Sequence, residues 1–303
     1  MLFRSVTATE LVVAKRMEYE AEVTVKEVKE LVAGRWDSGN KTAKIKIEEK
    51  VKGSSFIAGR EIALILPEWV KIVNEPENCQ LGSKKNELYI KVDGNESKYE
   101  FELELSIEAD KTGDIVAEVS GAGVEKQEVV IAEAVAPITA EVAATDLKIG
   151  VQNQLAPDII ITETKKGMID DGGLDVFTNT DDYEGKKTEA SDNELTVTLP
   201  SGIDFASAPD VEVTEGNLEI GKAKVSKNVL TIPVTSTSTK PSTIKISDVK
   251  LTLDRTVPEG EFKANIGGGA LVKNYEYNVG MKAPVTFDKN RVVRFVFANV
   301  ITP

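Results

Sequence analysis

The chain has 303 residues, with 50 acidic side chains against 37 basic ones, no histidine and one cysteine. A net charge of −13 repels nucleic acid and anionic membranes, which disfavours both as partners. Without histidine there is no imidazole general base and no histidine triad, and the commonest zinc ligand is missing. The lone thiol, Cys79, can form neither an internal disulfide nor a thiolate metal site. We therefore expect a protein that is not an enzyme, with an inert Cys79.

Taken in chain order, the sequence is a series of short strand-like runs. Val, Ile, Thr, Lys and Glu dominate these runs, and Gly, Asn, Asp and Ser separate them. This pattern is typical of antiparallel sheets with one solvated face. No stretch approaches the roughly 18 to 20 apolar residues that a membrane-spanning helix needs.

Two early runs are matched later in the chain. Residues 9–14 have the outline of the strand that begins at Thr145, and residues 22–27 have that of residues 158–163; 145 − 9 and 158 − 22 both give 136. Two strands that repeat in one register indicate the duplication of a whole structural unit.

Later runs continue the duplication at other spacings, which insertions in loops explain. Residues 61–67 match 194–200 (194 − 61 = 133), and residues 115–121 match 262–268 (262 − 115 = 147). Three further matches are 86–92 with 228–234, 99–110 with 243–254, and 136–139 with 283–286. In this alignment the glycines at 267–269 fall in a turn between strands, so they do not indicate a phosphate-binding loop.

The duplication predicts the fold class and the domain organisation. We expect an all-β chain of two tandem antiparallel β-sandwich domains, similar to immunoglobulin or cohesin sandwiches, with extended terminal strands. The predicted bounds are 1–8 for an N-terminal arm, 9–137 for the first sandwich, 138–144 for a linker strand, 145–284 for the second sandwich and 285–303 for a C-terminal, donor-like strand.

An acidic loop is predicted in the second copy. Its carboxylates are the hard oxygen ligands that calcium prefers, although their spacing is not that of a helix-loop-helix calcium site. The alternative is an ordinary solvated, glycine-rich loop, and no other cofactor is expected. The candidate ligands are Asp170, Asp171, Asp175, Asp181 and Asp182.

The C-terminal run is apolar on both faces of a strand, so it must be buried. By position it is the first strand of a third copy that is missing. It could enter a neighbouring subunit by donor-strand exchange, which would build an open head-to-tail filament. The alternative is that it folds back on the second domain. The candidate assembly residues are Val292, Val293, Phe295, Val296, Phe297, Val300 and Ile301.

Residues 146–167, with the strand pair at 197–205, resemble repeat modules of secreted surface and S-layer proteins from Gram-positive, clostridial-type anaerobes. Such proteins often carry a stalk domain similar to the N-terminal domain of copper amine oxidases. The chain departs from that pattern, because it stops at Pro303 where a stalk domain is expected. The resemblance implies a structural, non-catalytic module at the cell surface, with its leader peptide removed.

Two functions remain open. The first is an extracellular structural protein that self-assembles with copies of itself into a filament, tubule or surface layer associated with the cell wall. The second is a cell-surface binding or adhesion module for carbohydrate or for a partner protein. The only tryptophans are Trp36 and Trp69, and Trp69 falls in a predicted core strand, which disfavours stacking on sugars.

Overall fold

The computed structural model of the chain describes residues 20–35, 40–171, 174–177, 187–190, 193–272 and 293–303. All regular structure in these ranges is β, so the predicted all-β fold class is confirmed. The described part of the chain contains no helix that is long and apolar enough to cross a membrane.

The first half of the chain forms one sandwich. Its sheets are β1-β3-β8 and β2-β11-β10-β4-β7-β6, with a short β5-β9 pair, and they enclose one core that extends from Ala21 to Ala134. The strands are β1 (Ala21–Val25), β2 (Lys29–Val32), β3 (Ile45–Glu49), β4 (Glu61–Ile65), β5 (Val70–Ile72), β6 (Cys79–Leu81), β7 (Glu87–Lys91), β8 (Lys98–Phe101), β9 (Leu105–Ile107), β10 (Gly113–Gly121) and β11 (Val124–Val135).

The second half forms another sandwich around a core that extends from Ile138 to Val300. The strands are β12 (Ile138–Val142), β13 (Asp146–Lys148), β14 (Gln154–Leu155), β15 (Ile159–Glu163), β16 (Leu174–Phe177), β17 (Lys187–Ala190), β18 (Glu194–Thr198), β19 (Ile203–Phe205), β20 (Asp210–Glu215), β21 (Glu219–Ile220), β22 (Lys224–Ser226), β23 (Val229–Ser236), β24 (Thr243–Ser247), β25 (Lys250–Leu253), β26 (Gly260–Gly267) and β27 (Val293–Ile301). Its two larger sheets run β12-β15-β24-β20 and β13-β27-β26-β18-β23-β21, and β22 also pairs with β23. The smaller sheets are β14-β25-β19 and β16-β17.

Equivalent residues make the same bonds in both halves, which confirms the matches of residues 61–67 with 194–200, 86–92 with 228–234 and 115–121 with 262–268. The side chain of Asn86 donates to the carbonyl of Leu66 over 2.8 Å, and that of Asn228 donates to the carbonyl of Leu199 over 2.6 Å. Gly121 and Gly268 share a φ of 102°. A Cβ on either glycine would lie within 3 Å of a carbonyl oxygen, 2.8 Å from that of Glu61 and 2.1 Å from that of Glu194. The backbones therefore approach each other too closely for any larger residue.

The earliest match, at a spacing of 136, is wrong. β15 lies between β12 and β24, as β3 lies between β1 and β8, so the counterpart of residues 158–163 is β3 and not residues 22–27. The register pairs Glu49 with Ala21 and Glu163 with Ile138, which sets the spacing here at 114 (163 − 49). The same register places Tyr99 opposite Ile47 and Ile244 opposite Ile161, so the match of residues 99–110 with 243–254 is one residue out of register. Residues 9–14 and 283–286 lie outside the described residues.

An amide side chain confirms the corrected register. Asn40 accepts from the backbone N–H of Val32 and donates to the carbonyls of Val32 and Arg35, over 2.7 to 2.9 Å. Gln154 makes the same three bonds with Lys148 and Val151, over 2.7 to 3.2 Å. Each amide satisfies the backbone of the bend that follows the second strand of its sandwich.

Residues 138–144 are not a linker. β12 pairs with β15 over five register positions, and Ile138 is buried in the second core. The second sandwich therefore begins with this strand, directly after β11 ends at Val135.

The C-terminal run belongs to the second sandwich, as in the fold-back alternative. β27 pairs antiparallel with β26 and parallel with β13, just as β11 pairs antiparallel with β10 and parallel with β2. It is therefore the last strand of the second copy and not the first strand of a third. A single chain can therefore bury this strand without a neighbouring copy. Donor-strand exchange between copies stays a prediction.

A buried carboxylate ends the equivalent strand in each sandwich. Glu49 is 5% exposed and accepts from the backbone N–H groups of Ser55 and Phe56 over 2.7 and 2.6 Å. Glu163 is 2% exposed and accepts from the backbone N–H groups of Ile169 and Ser242 over 2.7 and 2.8 Å. Each carboxylate thus binds the loop that follows its strand, which supplies the donors that a buried charge needs.

We expect deletion of residues 293–303 to unfold the second sandwich. It removes the buried side chains of Phe295, Phe297 and Val300, at about 1.5 to 3 kcal/mol each, and exposes the bonding edges of β26 and β13. Circular dichroism and limited proteolysis should show loss of the second domain only, whereas deletion of the exposed Thr302 and Pro303 should have no effect. A compact second domain in the longer deletion would contradict the assignment of β27.

We expect Glu49→Gln to lower the free energy of unfolding above pH 5 by about 1 to 3 kcal/mol. Burial acts to raise the pKa of Glu49, but the backbone donors of Phe56, Ser55 and Gly53 outweigh it and hold the pKa below its ordinary value of 4.5. The stabilisation is thus complete above the ordinary value and is lost as the pH falls through the lowered one. Denaturant unfolding from pH 7 to pH 2.5 measures this, with Glu48→Gln as the solvent-facing control. A difference between wild type and Glu49→Gln that persists at the lowest pH would contradict it.

Candidate functional site

The two sandwiches meet at segments that are longer in the second copy than in the first. Residues 164–193 connect β15 to β18 and residues 268–292 connect β26 to β27, where the first copy has only residues 50–60 and 122–123. In the described parts of both segments Ile169, Ala270, Leu271 and Val272 are buried, whereas residues 164–166 and 171 are exposed. The backbone N–H of Asp170 donates to the carbonyl of Ala270 over 3.1 Å, which joins the two segments.

Arg35 crosses from the first sandwich to these segments. Its Nη2 donates to the carbonyl of Met168 over 2.7 Å and to Oδ2 of Asp170 over 3.0 Å. The two side chains are 9% and 14% exposed, so this ion pair is largely shielded from water. We call Arg35, Met168 and Asp170 the clasp.

The backbone before Arg35 is shaped for this contact. Gly34 has a φ of 75° and donates to the carbonyl of Ile107 over 3.0 Å. A Cβ on Gly34 would lie 3.1 Å from the Cβ of Ala109, and Ala109 itself packs into the core of the second sandwich. The bend after β2 therefore aims Arg35 across the junction while the two domains share apolar contact beneath it.

A second ion pair lies at the edge of the junction. Nζ of Lys165 is 2.8 Å from Oε2 of Glu30, and both side chains are about half exposed. The hydrogen bond and the charge of Lys165 hold the pKa of Glu30 below its ordinary value. Water screens this pair, so it contributes much less than the clasp.

Of the predicted calcium ligands, the structure describes the side chains of Asp170 and Asp171 only. Asp170 belongs to the clasp, and the carboxylate of Asp171 accepts from the hydroxyl of Thr237. Asp175 lies in β16, where only the backbone is described, and Asp181 and Asp182 lie outside the described residues. No group of three or more His, Cys, Asp or Glu side chains that could hold a metal occurs in the described ranges. Calcium binding stays a prediction, which melting with and without a chelator addresses.

The predicted assembly residues line one strand of the second sandwich. Phe297 stacks on Phe262 with ring centroids 5.2 Å apart, and Phe295 and Val300 are also buried. Val296 alternates with the buried Phe295 and Phe297 and is 46% exposed, and the bulge between Phe262 and Lys263 places the adjacent Phe297 and Ala298 both in the core. Val293 and Ile301 are partly buried, and Val292 lies outside the described residues. The expectation that both faces of this strand are buried is therefore wrong for Val296.

The remaining candidate residues are Cys79 and the two tryptophans. Cys79 is half-buried in β6, and burial, with a contribution from Glu75, raises the pKa of its thiol to about 11. A thiol with this pKa is protonated at neutral pH and reacts slowly. Trp69 packs against the first core, and Trp36 lies outside the described residues.

Comparison with known proteins gives remote likenesses. No family model matches the sequence, and no curated protein matches it. Among solved structures, the chain is similar to the collagen adhesin of S. aureus, with 13% identity, a TM-score of 0.24 and coverage of 93% of this chain and 92% of that one. It is also similar to the collagen-binding domain of the Erysipelothrix rhusiopathiae surface protein RspB (9% identity, TM-score 0.26, coverage 93% and 92%) and to the Enterococcus faecalis adhesin ACE (13%, 0.24, 94% and 95%). Likenesses this remote carry no conclusion about ligands.

We expect Arg35→Ala to lower the free energy of unfolding by on the order of 3 kcal/mol, because it removes the guanidinium that pairs with the shielded carboxylate of Asp170. The substitution should also separate the domains into two unfolding transitions, which differential scanning calorimetry measures. Lys165→Ala, which removes the solvent-exposed pair across the same junction, is the matched control and should leave the thermogram unchanged. Equal effects of the two substitutions would contradict a special role for the clasp.

Proposed function

We propose that the chain is a non-catalytic binding or adhesion module displayed outside the cell. The observation that carries this proposal is the clasp, which holds two sandwiches in a fixed arrangement without a linker between them. A rigid pair of domains presents a wide, constant outer surface, and a binder that is organised before contact loses less conformational entropy when it binds.

The buried polar groups of the described residues support a non-catalytic role. Asn40, Glu49, Asn86 and Glu163 each bond to backbone groups of neighbouring loops or strands. Such groups stabilise loops, whereas an active site needs titratable groups that converge on a substrate. The function therefore lies on the outer surfaces.

A partner protein fits these surfaces better than a carbohydrate. The large hydrophobic side chains that are exposed within the described ranges are all aliphatic: Val28, Ile57, Ile65, Leu155 and Val296. Sugar binding commonly uses exposed aromatic rings, and a protein partner can use aliphatic patches and strand edges.

Retention of beads that carry the full chain tests this proposal. On surfaces coated with extracellular proteins, the beads should be retained and then released by excess soluble chain, whereas polysaccharide coatings should retain few. Beads coated with heat-denatured chain are the control. Retention on polysaccharide alone would shift the function to a carbohydrate binder, and a lack of competable retention on every coating would overturn the proposal.

Self-assembly is the second candidate function, and two open strand edges favour it. Within the described residues, β8 and β20 each end their sheet. An edge in the first domain that pairs with an edge in the second domain of another copy would repeat head to tail and would not close. Electron microscopy of the purified chain across a concentration series separates the candidates, since ordered filaments support assembly and dispersed particles support the binding module.

A further inference from the structure

The two sandwiches differ at one sheet edge. In the second domain β24 has two neighbours, β15 on one side and β20 on the other. In the first domain the equivalent strand is β8, which pairs with β3 and has no second neighbour in the described part of the chain. The strand that precedes β7 in the first copy, β6, pairs with β7 in the other sheet. Within the described residues, the first sandwich thus has no counterpart of β20, the fourth strand of this sheet in the second.

The unpaired edge of β8 has backbone groups available for bonding. The N–H of Glu49 donates to the carbonyl of Ser97, and opposite residues in antiparallel strands alternate between bonded and non-bonded pairs. Tyr99 and Phe101 therefore direct their backbone groups toward β3, and Lys98 and Glu100 direct theirs outward.

Just beyond β8 the chain covers its own edge. The side chain of Asn74 donates to the carbonyl of Glu102 over 3.0 Å and accepts from the N–H of Glu104 over 2.8 Å. The uncovered part of the edge is therefore short, from Lys98 to Phe101, and β20 pairs with a slightly longer stretch of β24, from Thr243 to Ser247.

The core residues of β8 are slightly more exposed than their counterparts on β24, which has a second neighbouring strand. Ile244 and Ile246 on β24 are 0% exposed, whereas their counterparts Tyr99 and Phe101 on β8 are each 8% exposed. In the second domain Val213 lies opposite Ile244 and Val211 lies opposite Ile246. An added strand on β8 would place apolar side chains at the same two positions.

The charge of Glu100 predicts which type of residue the added strand carries between these two apolar positions. In the second domain Glu212 lies opposite Lys245, and the equivalent of Lys245 on β8 is Glu100. Directly opposed unlike charges stabilise a strand pair and like charges destabilise it. A strand that fits β8 therefore carries a basic residue opposite Glu100, which also suits a chain of net charge −13.

We propose that the edge of β8 binds an extended segment of a partner protein, with an apolar, basic, apolar pattern, by adding it as the fourth strand of the sheet. The pattern places the apolar side chains beside Tyr99 and Phe101 and the basic one beside Glu100. This inference rests on the proposed binding function and names the part of the surface that performs it.

A peptide of residues 208–216 that carries Glu212→Lys is the probe, because the parent segment already fits the equivalent edge of the second domain. Titrated into the full-length chain and followed by fluorescence anisotropy, it should bind about tenfold more tightly than the parent peptide, which places a glutamate opposite Glu100. In the Glu100→Lys protein the preference should reverse. An unchanged preference, or no binding of either peptide, would overturn the proposal.

Glu100→Pro separates strand addition from charge alone. Proline removes an N–H that faces the open edge, which an edge strand tolerates, and binding should weaken at least about tenfold. Glu100→Ala is the matched control, since it removes the same charge and keeps the N–H. A peptide with an N-methyl group on the bonding amide tests the same point without altering the protein. Binding that survives both changes contradicts strand addition.

Two other occupants are outcomes of the same experiments. If the chain dimerises without peptide and Glu100→Pro abolishes the dimer, the edge binds a second copy instead. If a peptide of residues 5–15 displaces the probe and binds more tightly, the edge receives a segment from the chain's own N-terminal residues. Both results would overturn the partner proposal. If the beads are retained and released by soluble chain but the probe does not bind, this inference is wrong and the proposed function is still supported. If the probe binds but the beads are not retained, the proposed function is wrong and strand addition at β8 is still supported.

Discussion

Each sandwich depends on one strand arrangement, in which the last strand is held between an antiparallel neighbour and a parallel one. β11 lies between β10 and β2, and β27 lies between β26 and β13. Because the parallel neighbour comes from the start of the same domain, this pairing joins the two ends of the domain's chain. It makes the last strand a central element, with both rows of its backbone groups bonded. The domain boundary after β11 and the position of the C-terminal run both follow from it.

The sequence predicted the fold class and three later matches of the duplication, residues 61–67 with 194–200, 86–92 with 228–234 and 115–121 with 262–268, and it misplaced the earliest match. The matches that succeeded contain residues with individual roles, such as Asn86 with Asn228 and Gly121 with Gly268, whose bonds and close backbone approaches recur in both copies. The match that failed rested on alternating apolar residues alone. Alternation has a period of two, so many registers satisfy it equally. The pairs Asn40 with Gln154 and Glu49 with Glu163 carried the correct spacing, but an amide or a carboxylate shows its role only when its partners are known.

The candidate site was least accessible to sequence reasoning because it depends on insertions. The clasp joins Arg35, in the bend after β2, to Asp170, in a segment with no counterpart of similar length in the first copy. Nothing in the pattern around Arg35 distinguishes it from a solvated arginine, and Asp170 was conspicuous only as one of several neighbouring acids. Their pairing follows from how the second domain's longer segments pack on the first domain, which is a property of the tertiary structure.

The divergence between the two copies also bears on how an open edge is tolerated. Unprotected edges pair indiscriminately, and proteins limit this with charged side chains on and beside the edge strand. The outer face near β8 carries such charges in pairs: Glu100 lies 3.4 Å from Lys98 and 3.6 Å from Lys44, and Lys41 lies 3.1 Å from Glu102. These charges oppose a purely apolar strand, which cannot compensate for their desolvation. They accept a strand that offers a basic group to Glu100, so the same side chains that protect the edge from aggregation can also select what binds to it.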